Sequence, residues 1–302
     1  MRIASLLASG TELVCALGRG DDLIARSHEC DDPPWVTGLP ALSQPTFDVS
    51  GSSADIDARV RQKLRAGQPL YVVDQERLRA AAPDIVITQV HCDVCAVSPG
   101  QIDPAHGWPA LRGLRTVAMR GGSLAGVLDD FAAVAAAIGS KSAGERLVAD
   151  LRAGLERWRD RLAGAPRRSV VCLEWTDPIF PMGNWGPELV ERAGGTSALG
   201  AGNAHSRAAV WEAVLDADPE VLIVAPCGFG LERAAKEMPA LAARAGFGAL
   251  RAARTGEVYV ADGNRFFNRS GPTLFQTLPL LAEILHPDIV PRVMGGTVYR
   301  RW

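Results

Sequence analysis

The sequence predicts an α/β protein made of two α/β lobes with mainly parallel sheets, joined by a long helical connector. Three observations predict it. Wholly apolar runs such as Ile85-Val86-Ile87 and Val221-Leu222-Ile223-Val224 have the length of strands and no polar alternation, the pattern of strands buried on both faces. Segments with apolar residues at helical spacing alternate with such runs, which favours parallel strands joined by helical crossovers. A stretch of helical periodicity from Ser123 to Leu162 separates two such alternating regions. The expected boundaries are 1–120 for an N-terminal α/β lobe, 121–165 for the connector and 166–302 for a C-terminal α/β lobe.

Ile3 to Leu7 reads as the first strand, and Ser9-Gly10-Thr11-Glu12 as a turn with an N-cap. Leu13, Val14, Ala16 and Leu17 then form a helical face that stops at Gly18. Leu23 to Arg26 is a second strand, leading into His28-Glu29-Cys30-Asp31-Asp32 and the breakers Pro33 and Pro34. The proline- and serine-rich passage from Pro40 to Ser53 reads as irregular surface. Ile56, Val60 and Leu64 set a helix over 55–66 that ends at Gly67. Leu70 to Val73 is strand-like, Gln75 to Ala82 a short helix, Ile85 to Thr88 the central buried strand, and Thr116 to Met119 closes the lobe. In the connector, Leu124, Val127, Leu128, Phe131, Val134 and Ile138 are continued by Leu147, Leu151, Leu155 and Leu162. Gly139 and Gly144 interrupt the pattern, so a pair of helices is the alternative.

In the second lobe Val170 to Leu173 is a strand that ends in the loop Glu174-Trp175-Thr176-Asp177-Pro178. Pro187 to Ala193 is a helix stopped by Gly194-Gly195, and Val210 to Leu215 another. Val221 to Val224 is a buried strand ending at Pro226-Cys227-Gly228. Leu231 to Arg244 is helical, Val258 to Val260 the last strand, and Thr273 to Leu285 the closing helix.

Composition narrows the function. The 302 residues are 47% hydrophobic and 22% charged, as in a soluble globular protein. A formal charge of −2 and the lack of a basic run argue against nucleic-acid binding. No apolar run approaches the ~18 residues that cross a bilayer, so no membrane insertion is expected. Met1-Arg2 leads straight into strand-like sequence without a signal-peptide pattern, so the expected location is cytoplasmic. The six cysteines suit reduced thiols: Cys15 and Cys172 as core, Cys30, Cys92, Cys95 and Cys227 as loop residues open to chemistry.

The most reactive stretch is His91-Cys92-Asp93-Val94-Cys95, after the central strand. A C-x-x-C can be half a metal site, a redox pair or packed thiols. No helix follows at once, as a thioredoxin-like motif needs, and no second C-x-x-C completes a zinc knuckle. Adding His28 and Cys30 from the neighbouring strand loop gives a mixed nitrogen and sulfur set (His28, Cys30, His91, Cys92, Cys95) that suits zinc or iron. The blander reading is thiols packed below a ligand site. Glu174 and Trp175 stand at the end of a strand, where an indole can wall a large planar ligand and a carboxylate can orient it. Trp185 can supply a second wall, His205 in a glycine-flanked loop a cap, and Arg269 a partner for a carboxylate or phosphate. Against these stand a part-buried Trp beside a surface acid, a solvated loop histidine and a surface salt bridge. Cys227-Gly228-Phe229-Gly230 precedes a helix and can hold an anion with backbone N–H groups, but it lacks the Lys and Ser/Thr of a P-loop. No Gly-x-Ser-x-Gly or His-Glu-x-x-His motif occurs.

The chain resembles a family. Ile3-Ala4-Ser5-Leu6-Leu7 with Gly10-Thr11-Glu12 is similar to the opening of the cobalamin-binding branch of the helical-backbone, or class III, substrate-binding proteins of ABC importers. So are Val73-Asp74, Pro83-Asp84 and Ile87-Thr88, and, in the second half, Ala217-Asp218-Pro219-Glu220-Val221-Leu222-Ile223 with Gly256-Glu257-Val258-Tyr259. Arg26-Ser27-His28-Glu29-Cys30-Asp31, Cys92 to Ser98, Leu173-Glu174-Trp175 and Asn268-Arg269-Ser270-Gly271-Pro272 resemble a narrower cobalamin-binding-like subgroup. The resemblance implies a ligand cleft between the lobes and a cobalamin, siderophore or haem type of small-molecule ligand. Glu12 joins the ligand-binding candidates through its place in the matching motif. The chain departs from the importer pattern in showing no signal peptide and no lipid-anchor cysteine, so contact with an ABC importer is not expected. The expected function is a cytoplasmic binding protein for a corrinoid or another metal-bearing small molecule. The alternative is a metalloenzyme on the same fold, with zinc or iron on the Cys/His set and Glu29 or Glu174 as general base.

Overall fold

The structure, a computed structural model, describes residues 1–89 and 113–302 and divides into two compact α/β units. Unit 1 comprises 1–49, 58–150 and 270–272; unit 2 comprises 50–57, 151–269 and 273–302.

Unit 1 is built on a four-stranded, wholly parallel sheet. Its order is β2 (Leu23–Arg26), β1 (Ile3–Ser5), β5 (Ile85–Gln89) and β6 (Arg115–Met119). Ile3 and Ala4 in β1 and Val86 and Ile87 in β5 are fully buried, as central parallel strands must be. α1 (Ala8–Ala16) follows β1 directly, so Ser9-Gly10-Thr11-Glu12 is helix and not the expected turn. The cause is packing: Gly10 lets α1 settle on β5, where a Cβ would lie 2.6 Å from Ile87 Cγ2. The passage expected to be irregular surface contains β3 (Ser43–Pro45), antiparallel to β4 (Tyr71–Val73), and it buries Leu42 completely. β4 therefore belongs to a two-stranded ribbon outside the parallel sheet. α2 (Ser53–Arg65) and α3 (Gln75–Ala81) lie close to their expected spans, and Asp74 caps α3 by accepting from Arg77 N–H at 2.9 Å.

The expected single connector is two helices, α4 (Leu124–Ala137) and α5 (Lys141–Arg161), broken at Gly139, which takes φ +73°. Gly144, inside α5, packs onto α4, where a Cβ would meet Ala135 Cβ at 2.3 Å. The second glycine thus serves close packing and does not break the helix.

Unit 2 has a six-stranded mixed sheet, ordered β12–β11–β10–β7–β8, with β9 also on β7. β7 (Arg168–Thr176) and β10 (Val221–Val224) are parallel centre strands. β8 (Ile179–Pro181) turns back antiparallel on the last residues of β7, and β9 (Gly195–Ser197) runs parallel to its first. α6 (Gly186–Arg192) lies between β8 and β9 in sequence, and α7 (Trp211–Ala217) leads to β10. The helix expected over 231–244 is α8 (Leu231–Ala235) and α9 (Met238–Ala242), because Pro239 starts a new turn. α10 (Arg251–Thr255) precedes β11 (Val258–Ala261). β11 is not the last strand: after α11 (Thr277–Leu285), β12 (Tyr299–Arg301) pairs antiparallel with it.

Two contacts hold the strand ends of unit 2. Buried Glu237 accepts from Ser53 Oγ at 2.5 Å, Ser53 N–H at 3.2 Å and Thr176 Oγ1 at 2.7 Å. The π-turn Gly263–Phe267 presses on the end of β10, and a Cβ on Gly263 would lie 2.2 Å from Pro226 O and 2.4 Å from Ala225 O. Gly263→Ala must displace backbone and is expected to cost ~1–3 kcal/mol, more than the helical gain of Ala over Gly repays; urea denaturation measures it. Ser53→Ala removes one hydroxyl donor from a buried carboxylate and should cost ~1–3 kcal/mol in the same assay.

Candidate functional site

In an open α/β sheet, ligands bind beyond the carboxyl ends of the strands where the strand order reverses. In unit 2 the order reverses between β7 and β10, since the chain adds β8 and β9 on one side of β7 and β10 and β11 on the other. Glu174 and Trp175 stand at the carboxyl end of β7. They were expected in a loop, but β7 runs on to Thr176 because β8 pairs with it. The pairing slips between Leu173 and Trp175, so Glu174 occupies a bulge. Its carbonyl accepts from Cys227 N–H at 2.9 Å, which ties the end of β7 to the turn after β10.

Trp175 is half-buried, and its ring meets buried Phe229 edge-on with centroids 5.3 Å apart. The Arg233 guanidinium lies 3.8 Å from the Phe229 centroid on the same support. The chain thus presents an indole with one side backed and some of its surface open. α8 after Phe229 has only five residues, too short for the helix dipole that the expected anion turn would need.

The Glu174 side chain is part-buried, near the Ser206 hydroxyl and Gly183 N–H. Burial pushes its carboxyl up to about 7, against the opposite pull of those two donors. Cys172, earlier on β7, is buried with its thiol pushed far up by burial, as expected of a core residue. Trp185 is buried and donates from Nε1 to Phe267 O at 2.8 Å, which makes it a packing residue more than an open wall. His205 is exposed, one position before Ser206. Arg269 is only 7% exposed and donates from Nη2 to Asn264 Oδ1 at 2.8 Å, so it is no surface cation. Ser206, Gly183 and Phe229 were absent from the sequence-derived ligand set. The glycines around His205 were the available hint, because a tight loop often lies against backbone.

Unit 1 gathers other candidates around α1. Cys30 is buried, with Sγ 3.0 Å from Thr11 Oγ1. Glu12 is buried on the same helix, and Gly271 lies so close that a Cβ would come within 2.4 Å of Glu12 Oε2. Burial, followed by Asp32, Cys30 and Glu12, pushes the Cys15 thiol up to about 11, which marks the three acids and thiols as near neighbours. His28 sits beside Tyr71, with Nδ1 2.9 Å from Ser43 Oγ and Nε2 3.2 Å from Glu29 Oε1. Among the described residues, which include only His28 and Cys30 of the expected zinc or iron set, no three His, Cys, Asp or Glu side chains stand close enough to hold a metal ion. Cys30 is turned into the core towards Thr11, and the His28 ring is already engaged at Nδ1. His91, Cys92 and Cys95 lie outside the described residues.

These features define a two-unit α/β substrate-binding fold. A family model described as Periplasmic binding protein matches residues 3–264, and the chain belongs to that family, in agreement with the class III resemblance of its motifs. No curated protein matches the sequence. Among solved structures, a periplasmic haem-binding protein from Pseudomonas aeruginosa is similar, at 21% identity over 95% of this chain and 92% of the other, with a TM-score of 0.71. A periplasmic vitamin B12-binding protein of Vibrio cholerae is 18% identical, over 96% of this chain and 98% of the other, at TM-score 0.65. A possible iron-binding solute-binding protein of Staphylococcus epidermidis is 18% identical, over 94% and 98%, at 0.69. Identities this low establish the shared fold alone. Among the described residues no helix is long and apolar enough to cross a membrane.

The raised Glu174 carboxyl sets a pH dependence. The unfolded chain releases this proton near the ordinary value of 4.5, and the folded chain keeps it to about 7. Within that window the folded state binds more protons, so the group's stabilising contribution is full below the window and lost as pH rises through it. Glu174→Gln should remove this loss, and the gap in urea midpoint between variant and parent should widen in the variant's favour up to neutral pH.

Proposed function

We propose that the protein binds a large, planar, metal-bearing macrocycle, a corrinoid or a haem, with Trp175 as the stacking surface and Glu174 as the orienting carboxyl. The observation that carries this reading is the Trp175 indole: part-open at the carboxyl end of a central strand and held from behind by buried Phe229. An aromatic face fixed in this way binds a flat ligand with little loss of side-chain freedom. The position at the sheet's reversal point supports the reading. So does membership of a family in which similar folds are described as haem- and vitamin B12-binding. Glu174, close to neutral charge balance at physiological pH, suits a ligand that offers amide or hydroxyl groups as well as one that offers cations.

The test is titration of the purified protein with cyanocobalamin and with haemin, followed by visible spectrum and tryptophan quenching. Saturable binding of one of them is expected, weakened about tenfold in Trp175→Ala, equivalent to ~1.4 kcal/mol. No response to either ligand, or an unchanged affinity in the variant, would overturn the reading.

A further inference from the structure

Arg233 on α8 is fixed beside the indole of Trp175. It is part-buried, and its guanidinium carbon lies 3.8 Å from the centroid of the Phe229 ring. That ring stands 5.3 Å from the Trp175 ring, so the guanidinium is no farther from the indole than those two distances together. Buried Phe229 gives the cation a ring face to lie on. Nη2 donates to Gly51 O at 3.3 Å, which steers the plane of the group. Both of these partners are neutral, and neither cancels the positive charge.

Charges on the neighbouring elements are paired with one another. Arg244 lies 3.4 Å from Asp177 after β7, and Glu232 on α8 lies 2.9 Å from Arg300 on β12. Glu174 precedes Trp175 on the strand, and burial holds its carboxyl up at about 7, so it opposes an anion least below neutrality.

We infer that Arg233 selects the chemical class of ligand at the Trp175 site: it pairs with a carboxylate at the rim of a flat tetrapyrrole, so the ligand is of the haem type and not a corrinoid. The inference rests on the Trp175 reading above. Both macrocycles offer a broad ring to an indole. They differ at the rim, where haem carries carboxylates and cobalamin carries amides. A guanidinium offers planar N–H donors that match both oxygens of a carboxylate in charge-assisted bonds, whereas an amide meets it through one uncharged oxygen. Beside a buried ring, with part of its hydration removed, such a pair is stronger than on open surface. Stacked on the indole, a tetrapyrrole spans the gap from its ring to the guanidinium with its rim substituents.

Three ligands and two variants test it. Haemin, its dimethyl ester and cyanocobalamin are titrated into the parent, Arg233→Gln and Trp175→Ala at fixed ionic strength, followed by tryptophan quenching and visible spectrum. The ester keeps the ring and the iron and loses the carboxylates. In the parent, haemin should bind at least about tenfold more tightly than its ester and than cyanocobalamin. In Arg233→Gln the haemin-to-ester ratio should fall to about one through loss of haemin affinity. In Trp175→Ala both should weaken and the ratio persist. Equal affinity for haemin and ester in the parent overturns the proposal. So does a ratio that survives in Arg233→Gln, the result expected if Arg233 only props the Phe229 ring. Tighter binding of cyanocobalamin overturns it too and leaves the Trp175 reading in place. If no macrocycle binds, that reading falls and this inference with it. If Arg233→Gln does not fold, the parent's ratio and that of Arg233→Lys decide: the lysine keeps the charge without the fork, and an undiminished ratio there sinks the proposal.

Discussion

One strand, Arg168–Thr176, has to hydrogen-bond three neighbours, and the compromise it makes governs the chemistry of unit 2. β10 occupies one edge in parallel register, while the other edge is shared by parallel β9 over the first residues and antiparallel β8 over the last. Parallel and antiparallel ladders space their hydrogen bonds differently, and the pairing slips where the strand serves β8, between Leu173 and Trp175. The bulge there re-aims the Glu174–Trp175 pair at the carboxyl end of the sheet. It also leaves the Glu174 carbonyl for Cys227 N–H, so that β7 and β10 are tied where their connections diverge.

Two carboxylates at the end of β7, Glu237 buried and Glu174 part-buried, show how differently the same group can be treated. Glu237 receives two hydroxyls and a backbone N–H on one oxygen, at 2.5 to 3.2 Å, and serves as a fixed pin for the end of β7 and the start of α2. Near Glu174 stand the Ser206 hydroxyl and Gly183 N–H, and burial outweighs their pull and pushes its carboxyl up to about 7.

Much of the fold was legible in the sequence. Ile85–Gln89 and Val221–Val224 are buried central strands because uninterrupted β-branched runs have no polar face to turn to water. The family motifs placed the whole chain in its class. What escaped were features created by contacts across the chain. Ser43–Pro45 is a strand only because Tyr71–Val73 is there to pair with it, and Ser9-Gly10-Thr11-Glu12 is helix because Gly10 fits against Ile87. For the site, its location at strand ends could be read in advance, as could the prominence of Glu174 and Trp175. The burial of Trp185, Cys30 and Arg269 could not, since side-chain exposure depends on partners distant in sequence.

By itself the sequence determined the elements and their order, through hydrophobic period, caps and glycine breaks, and it determined membership of a binding-protein family through local motifs. Only the tertiary structure decided which of the polar residues at those strand ends are exposed, buried or engaged. Cys30 meets Thr11, and His28 meets Ser43; Glu174 lies near Ser206 and Gly183, from loops that no local pattern connects to it. The physical reason is that periodicity is a property of neighbours along the chain, whereas burial and hydrogen-bond supply, which set charge state and chemistry, belong to neighbours in space.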